Sequence, residues 1–273
     1  MKKIALLLVC VLSLSLIFAG CSKEGNVEES KNELVKLRIG ASPNPHADIL
    51  TKVVKPQLEK KGIDLEIIEF TDYVSPNLAL ADKEIDANFF QHKPYLDTFA
   101  KERNLDLVSV GKVHIEPLGL YSKKIKSIDE LKDGSIVSIP NDPTNGGRAL
   151  ILLDAKNIIK LKPNAGLEAT EKDIEKNPKN LQFKPIEAAQ LPRTLDDVDA
   201  SVINTNFALE GNLDPKKDAI IIEGEESPYA NIIAVRSEDK DSEKIQKLMK
   251  ALQSEEVKKF IEENYKGAII PVF

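Results

Sequence analysis

The sequence predicts an α/β fold of two lobes facing one another across a cleft, and three observations lead there. After residue 36, short apolar runs of strand character alternate with segments whose apolar residues recur at helical spacing. An extended stretch, Val113-His114-Ile115-Glu116-Pro117-Leu118-Gly119-Leu120-Tyr121, breaks that alternation with no helical period, and its Pro and Gly mark a bend. A second apolar stretch, Ile232-Ile233-Ala234-Val235 after Ser227-Pro228-Tyr229-Ala230-Asn231, reads as the return crossover. The lobes are then 37–117 plus 229–273 (lobe I) and 118–228 (lobe II), although one large mixed sheet would show similar elements.

In chain order, Met1-Lys2-Lys3 precedes an apolar run over 4–18, broken only by serines, and then Ala19-Gly20-Cys21. A basic start, a short apolar core and small residues describe a secretory signal, too short for a comfortable membrane span. A cysteine directly after Ala-Gly is the signature of a lipoprotein signal, with Phe18 standing where that box usually has Leu. Residues 1–20 are therefore expected to be removed and Cys21 to be lipidated. Cys10 lies in the removed segment, which leaves the mature domain no free thiol for a disulfide, a thiolate metal site or a nucleophile. Residues 21–36 read as a flexible tether. The remaining chain, about 240 residues, can bury a sizeable core. A net charge of −6 with both signs interspersed argues against nucleic acid as a partner.

Leu37-Arg38-Ile39-Gly40 alternates as a strand. From His46, the residues Ile49, Leu50, Val53, Val54 and Leu58 fall at helical spacing until Gly62, and Leu65-Glu66-Ile67-Ile68-Glu69-Phe70 is a second strand. Strand, helix and strand in so short a span make a βαβ unit with a parallel pair. A short helix at Asn77-Leu78-Ala79-Leu80-Ala81 leads to a buried strand, Ile85-Asp86-Ala87-Asn88-Phe89. Pro94 with Tyr95, Leu96 and Phe99 opens the next helix, which puts Phe90, Gln91 and His92 in a strand-to-helix loop. Leu107-Val108-Ser109-Val110 is a strand before the first crossover. In lobe II, Ser127 and Thr170 are expected to cap helices, and Ser135-Ile136-Val137-Ser138-Ile139-Pro140 is a strand. The turn-rich 141–147 then precedes a buried helix from Arg148. Strands follow over 181–186, 200–204 and 219–223. Ile245, Leu248, Leu252, Val257, Phe260 and Ile261 form a helical region expected to pack back on lobe I.

Several residues can carry chemistry. The chain has nine phenylalanines, five tyrosines and three histidines, yet Asn88-Phe89-Phe90-Gln91-His92-Lys93-Pro94-Tyr95 holds three aromatics and one histidine. At the carboxyl end of a strand, such a segment lies where open α/β sheets bind ligands; a hydrophobic corner with a satisfied histidine is the alternative. Asn141-Asp142-Pro143-Thr144-Asn145-Gly146-Gly147-Arg148 opens a helix, and N-terminal amides with a guanidinium suit a carboxylate or phosphate. The Gly-Lys-Ser/Thr ending of a P-loop is absent. Asn204 and Asn231 each sit at an end of an apolar strand, and Tyr73, Phe90 and Tyr95 could wall an apolar ligand body. His46, His92 and His114 show no paired metal-ligand spacing, no G-x-S-x-G occurs, and Asp196-Asp197-Val198-Asp199 lacks EF-hand spacing. No metal, no cofactor and no catalysis are expected.

Taken together, Phe70-Thr71-Asp72-Tyr73-Val74, the 88–95 octet, His114-Ile115-Glu116-Pro117 and the segments 141–148, 199–204 and 227–231 resemble the NlpA/MetQ-type lipoproteins. These are the methionine-binding proteins of bacterial ABC importers, and the resemblance covers essentially the whole chain. It implies a type II periplasmic-binding-protein fold and L-methionine as ligand, with D-methionine, other amino acids or short peptides as alternatives. Tyr73, Phe90, His92 and Tyr95 would hold the thioether side chain. Arg148 would pair with the ligand carboxylate, Asn204 and Asn231 would bind its polar α-carbon groups, and Asn145 would be a further member. Glu116 is a candidate for the ammonium by residue type alone. The implied partners are an ABC permease with its ATPase and, through the lipid, the extracytoplasmic face of the cell membrane; a monomer is expected. The competing readings are a lipid-anchored hydrolase with His92 or His114 as base, and a surface interaction protein with an empty cleft.

Overall fold

The computed structural model describes residues 34–224 and 227–273. The expected signal segment, Cys21 and the tether up to residue 33 lie outside the described residues. Strand β1 (Val35–Ala41) buries Leu37 and Ile39 completely on alternate positions. Helical turns at Pro43–Ala47 and Leu50–Val54 run into α1 (Lys55–Glu59). Their buried Ile49, Leu50, Val54 and Leu58 are the predicted apolar face. Asn44 is extended, so regular helical backbone starts only beyond it, close to His46, and the turn at Leu50–Val54 is wound wider than an α-helix, which apolar spacing does not report. The chain returns as β2 (Ile63–Glu69), parallel to β1 from Val35↔Ile63 to Ala41↔Glu69, so the βαβ unit forms as expected.

After α2 (Ser75–Ala81) comes β3 (Ala87–His92), buried along its whole length, and then α3 (Lys93–Arg103). Phe90, Gln91 and His92 are thus strand residues, not a loop. The reason lies 140 residues downstream, where Ile232 and Asn231 pair with Gln91 and His92 and extend the strand. Strand β4 (Leu107–Ile115) is likewise one nine-residue strand, so the first crossover is shorter than expected and β5 (Gly119–Tyr121) already belongs to the second sheet.

Lobe II continues through β6 (Ile136–Pro140), α4 (Pro143–Ala155), the small antiparallel pair β7 (Lys160–Leu161) and β8 (Ile174–Lys176), and then β9 (Gln182–Ile186). Strand β10 (Ala200–Ile203), α5 (Thr205–Glu210) and β11 (Ile221–Ile222) complete it. The caps at Ser127 and Thr170 start single 3-10 turns, Ile128–Glu130 and Glu171–Asp173, not longer helices. The chain returns to lobe I as β12 (Ala230–Arg236), followed by α6 (Glu243–Leu252), α7 (Glu255–Tyr265) and β13 (Ile270–Pro271).

The sheet orders are β13-β4-β12-β3-β1-β2 and β11-β5-β10-β6-β9. Ile232 to Val235 are therefore not a crossover. They lie in an interior strand, antiparallel to both β3 and β4, and all four are essentially inaccessible. A strand covered on both faces reads as a continuous apolar run, which cannot be told from an extended connection by sequence. Ile245, Leu248, Leu252, Val257 and Ile261 join Leu37, Ile39, Leu65 and Phe89 in one core, so the C-terminal helices do pack on the first sheet. A separate core gathers α4 with β6 and β10. Among the described residues, no helix is long and apolar enough to cross a membrane.

Candidate functional site

Two helix starts meet at the site. His92 ends β3 and caps α3, its Nδ1 accepting from the Tyr95 backbone N–H at 3.2 Å. That leaves Nε2 to carry the proton, and it donates to Asn145 Oδ1 at 3.1 Å. Burial, and then the field of Arg148, push the His92 pKa down to about 3, so the ring is a neutral donor at physiological pH. Across from it, Asp142 caps α4 by accepting from the Asn145 backbone N–H at 2.9 Å. The glycine pair that follows lets this turn sit tight. A Cβ on Gly146 would lie 2.9 Å from Pro140 O, and one on Gly147 2.3 Å from Leu167 O.

All eight residues expected at the site line one cavity. Tyr73, Phe90 and Tyr95 form its aromatic wall, with ring centroids 5.9 to 6.1 Å apart. Tyr95 Oη donates to Tyr73 O at 2.8 Å, and Tyr73 Oη donates to Asn206 Oδ1 at 2.5 Å, tying the first lobe to α5. Asn145 is saturated. Its Oδ1 accepts from His92 and, at 2.8 Å, from Asn204 Nδ2, while its own Nδ2 donates to both Asp142 oxygens. It orients its neighbours, and the polar atoms left over belong to others. Asn204 Oδ1 and Asn206 Nδ2 are buried without a hydrogen-bond partner among the described residues.

Arg148 is almost wholly buried. Its Nη2 donates to Glu223 and, at 2.8 Å, to Glu116 O; its Nε donates to Glu223 Oε1 at 3.1 Å; and its guanidinium lies 4.4 Å from the Tyr229 ring centre. Nη1 has no partner among the described residues. Asn231 Oδ1 accepts from His46 Nε2 at 3.1 Å, so its Nδ2 is the group presented elsewhere. Behind the wall, Asn77, Asn88 and Gln91 form a closed amide network: Gln91 Nε2 donates to Asn77 Oδ1 and Asn88 Oδ1, and Asn77 Nδ2 donates to Gln91 Oε1.

Glu116, Gln91, Thr205 and Asn206 also line the cavity. Sequence reading placed Glu116 only by type and passed over Thr205 and Asn206. Their signal was the position directly after a buried strand, beside Asn204. His46, His114 and Glu116 bring their ligand-type atoms within 4.8 Å of one another, a convergence that separations of 68 and 2 residues in the chain do not announce. His114 Nε2 donates to Glu116 Oε1 at 2.7 Å and His46 Nε2 lies 3.1 Å from the same oxygen. The carboxylate thus accepts a hydrogen bond from His114 and lies in ion-pair range of His46, whose own hydrogen bond goes to Asn231.

The chain is 48% identical over 259 residues to the D-methionine-binding lipoprotein MetQ of Salmonella typhimurium, covering 94% of this chain and 93% of the relative. MetQ of Escherichia coli K12 is 46% identical over the same coverage. The structure superposes with a TM-score of 0.84 on a nutrient-binding protein from Burkholderia cenocepacia bound to methionine, 50% identical, covering 87% of this chain and all of that one. With residues 37–273 matching the family model, the chain belongs to the NlpA lipoprotein family.

Proposed function

We propose that this chain is the substrate-binding lipoprotein of an ABC importer, taking L-methionine, with D-methionine or related compounds as further ligands, in the cavity between its lobes. The observation that carries the reading is the chemistry of that cavity. One side is aromatic, which suits a polarisable thioether. The other side offers unpartnered buried amide atoms and a guanidinium edge, which a zwitterion would satisfy. Tyr73, Phe90, His92 and Tyr95 hold the thioether; Arg148 Nη1 and Asn231 Nδ2 receive the carboxylate; Asn204 takes the α-carbon polar groups, with Asn145 fixing it. The lobes, 37–117 plus 229–273 and 118–228, close by hinge motion at the two connections. Cys21 carries the lipid that holds the protein on the extracytoplasmic face, where it delivers ligand as a monomer to the permease and its ATPase.

No catalytic step is assigned. His92 is a neutral donor already engaged at both nitrogens, which makes it a poor base. Mass spectrometry of small molecules released on denaturation tests the ligand: stoichiometric methionine is expected, and a different amino acid or a short peptide replaces the ligand in this reading. Arg148→Ala and Asn231→Ala are each expected to lose calorimetric binding of methionine; unchanged affinity in both removes the site assignment.

A further inference from the structure

Glu116 is a buried carboxylate, 6% exposed, that lines the cavity beside Arg148. Its Oε1 is held from behind by His114 Nε2 at 2.7 Å and His46 Nε2 at 3.1 Å, and Oε2 has no hydrogen-bond partner among the described residues. Neither histidine lines the cavity. Their Nδ1 atoms are buried without partners, so each ring is placed to carry its proton on Nε2: His114 donates it to the carboxylate, and His46 directs its own to Asn231 Oδ1 while lying equally close to Glu116 Oε1. The two rings are themselves fixed by Phe89, edge-on at 4.5 and 5.3 Å. Burial works against the charge of Glu116, yet its carboxyl stays well below the ordinary range because His46 and His114 stabilise the ionised form. Arg148, by contrast, already has a carboxylate of its own in Glu223. Glu116 has no arginine or lysine within ion-pair reach among the described residues.

We propose that Glu116, positioned by His46 and His114, is the counter-ion for the α-ammonium of the bound ligand, so that the cavity selects free α-amino acids over analogues without that charge. This rests on the proposed function and deepens it. An α-amino acid carries its two charges on one carbon, so cationic and anionic protein groups must be neighbours; the 2.8 Å bond from Arg148 Nη2 to Glu116 O makes them so. Asn204 Oδ1, an unpartnered acceptor on the same cavity, is available to share the ammonium protons. His46 also donates to Asn231 Oδ1, which couples the carboxylate's support to an amide expected to meet the ligand.

The test is calorimetric titration of ligand-free protein with L-methionine and with 4-(methylsulfanyl)butanoate, the same molecule without its amino group. Wild type should prefer methionine by at least about thirtyfold, as for other buried charge pairs. In Glu116→Gln that preference should fall to within about threefold. Should Glu116→Gln not fold, Glu116→Asp withdraws the charge by one methylene and must narrow the preference in the same direction. Wild type that binds both compounds equally, or a folded variant that keeps the full preference, overturns the proposal while leaving the binding function intact. A wild type that binds neither overturns the function itself, and the proposal with it.

Discussion

Glu210 closes α5, the lobe II helix that packs on the first helical turn of lobe I, and its Oε1 is buried without a partner among the described residues. Desolvation, opposed by the pull of His46 and reinforced by repulsion from Glu116 and Glu69, pushes its pKa up to about 7 from the ordinary 4.5. The folded state therefore binds a proton between pH 4.5 and 7 that the unfolded chain releases. Stability must fall as pH rises through that window, and the penalty is complete above it. At 1.36 kcal/mol per tenfold the ceiling is about 3 kcal/mol, but the side chain is only partly buried and solvent screening cuts this to about 1 kcal/mol. Glu210→Gln is uncharged at every pH. It should match wild type at pH 4.5 and exceed it by about 1 kcal/mol at pH 8, or about 2–4 °C in Tm for a domain of this size. The assay is thermal unfolding of both proteins at the two pH values, because the pH dependence of all other groups cancels in the difference. A difference that does not grow with pH, or a wild type that is the more stable protein at pH 8, refutes the reasoning.

Three further outcomes are expected. Gly147→Ala places a methyl 2.3 Å from Leu167 O and 2.8 Å from Ala169 N, both backbone atoms, and should cost about 2–3 kcal/mol in urea unfolding; an unchanged midpoint would mean that the 167–169 segment yields freely. Asn77→Ala strips Gln91 and Asn88 of buried partners and should cost about 2 kcal/mol, with faster amide exchange in β3 as its signature. Lys93→Ala removes an exposed i,i+4 pair with Asp97 and should move stability by less than about 0.5 kcal/mol; a loss above 1 would show that this pair anchors the start of α3.

What could be read from the sequence divides along physical lines. Period-two and period-3.6 patterns are local, so β1, β2, α3, α4 and the C-terminal helices were legible. Strand length was not. The extension of β3 to His92 and the merging of 107–115 into one strand are both imposed by pairing with β12, whose partners are more than a hundred residues away. The same strand was misread as a connection because, covered on both faces, it has no polar side to betray it. At the site, the arginine closing the 141–148 segment and the aromatic octet were visible because each motif is contiguous, although α4 starts at Pro143 and Arg148 lies in its second turn. Asn206 was not, since its importance comes from an unpaired Nδ2 that only the assembled lobes reveal. The cluster of His46, His114 and Glu116 was invisible for the same reason: β4 carries His114, Glu116 directly follows that strand, and the turn after β1 carries His46.

The polar atoms that the protein leaves unused define the ligand better than those it uses. His92, Asn145 and the Asn77–Asn88–Gln91 network satisfy one another and could stand as they are in an empty cleft. The remainder cannot all do so. Arg148 Nη1, Asn206 Nδ2 and Asn231 Nδ2 are donors that call for an anionic or carbonyl acceptor, while Asn204 Oδ1 and Glu116 are acceptors that call for a proton-rich cation. A simple carboxylic acid answers the first set and leaves the second stranded; an amine does the reverse. Because a buried unpaired polar atom costs about 1–3 kcal/mol, closure of the lobes on either half-ligand is penalised, and closure on a zwitterion is not. Under the proposed function the selectivity resides in the closing step itself: the aromatic wall would accept any apolar body of suitable size, and the charge pattern opposite would decide whether the lobes stay shut.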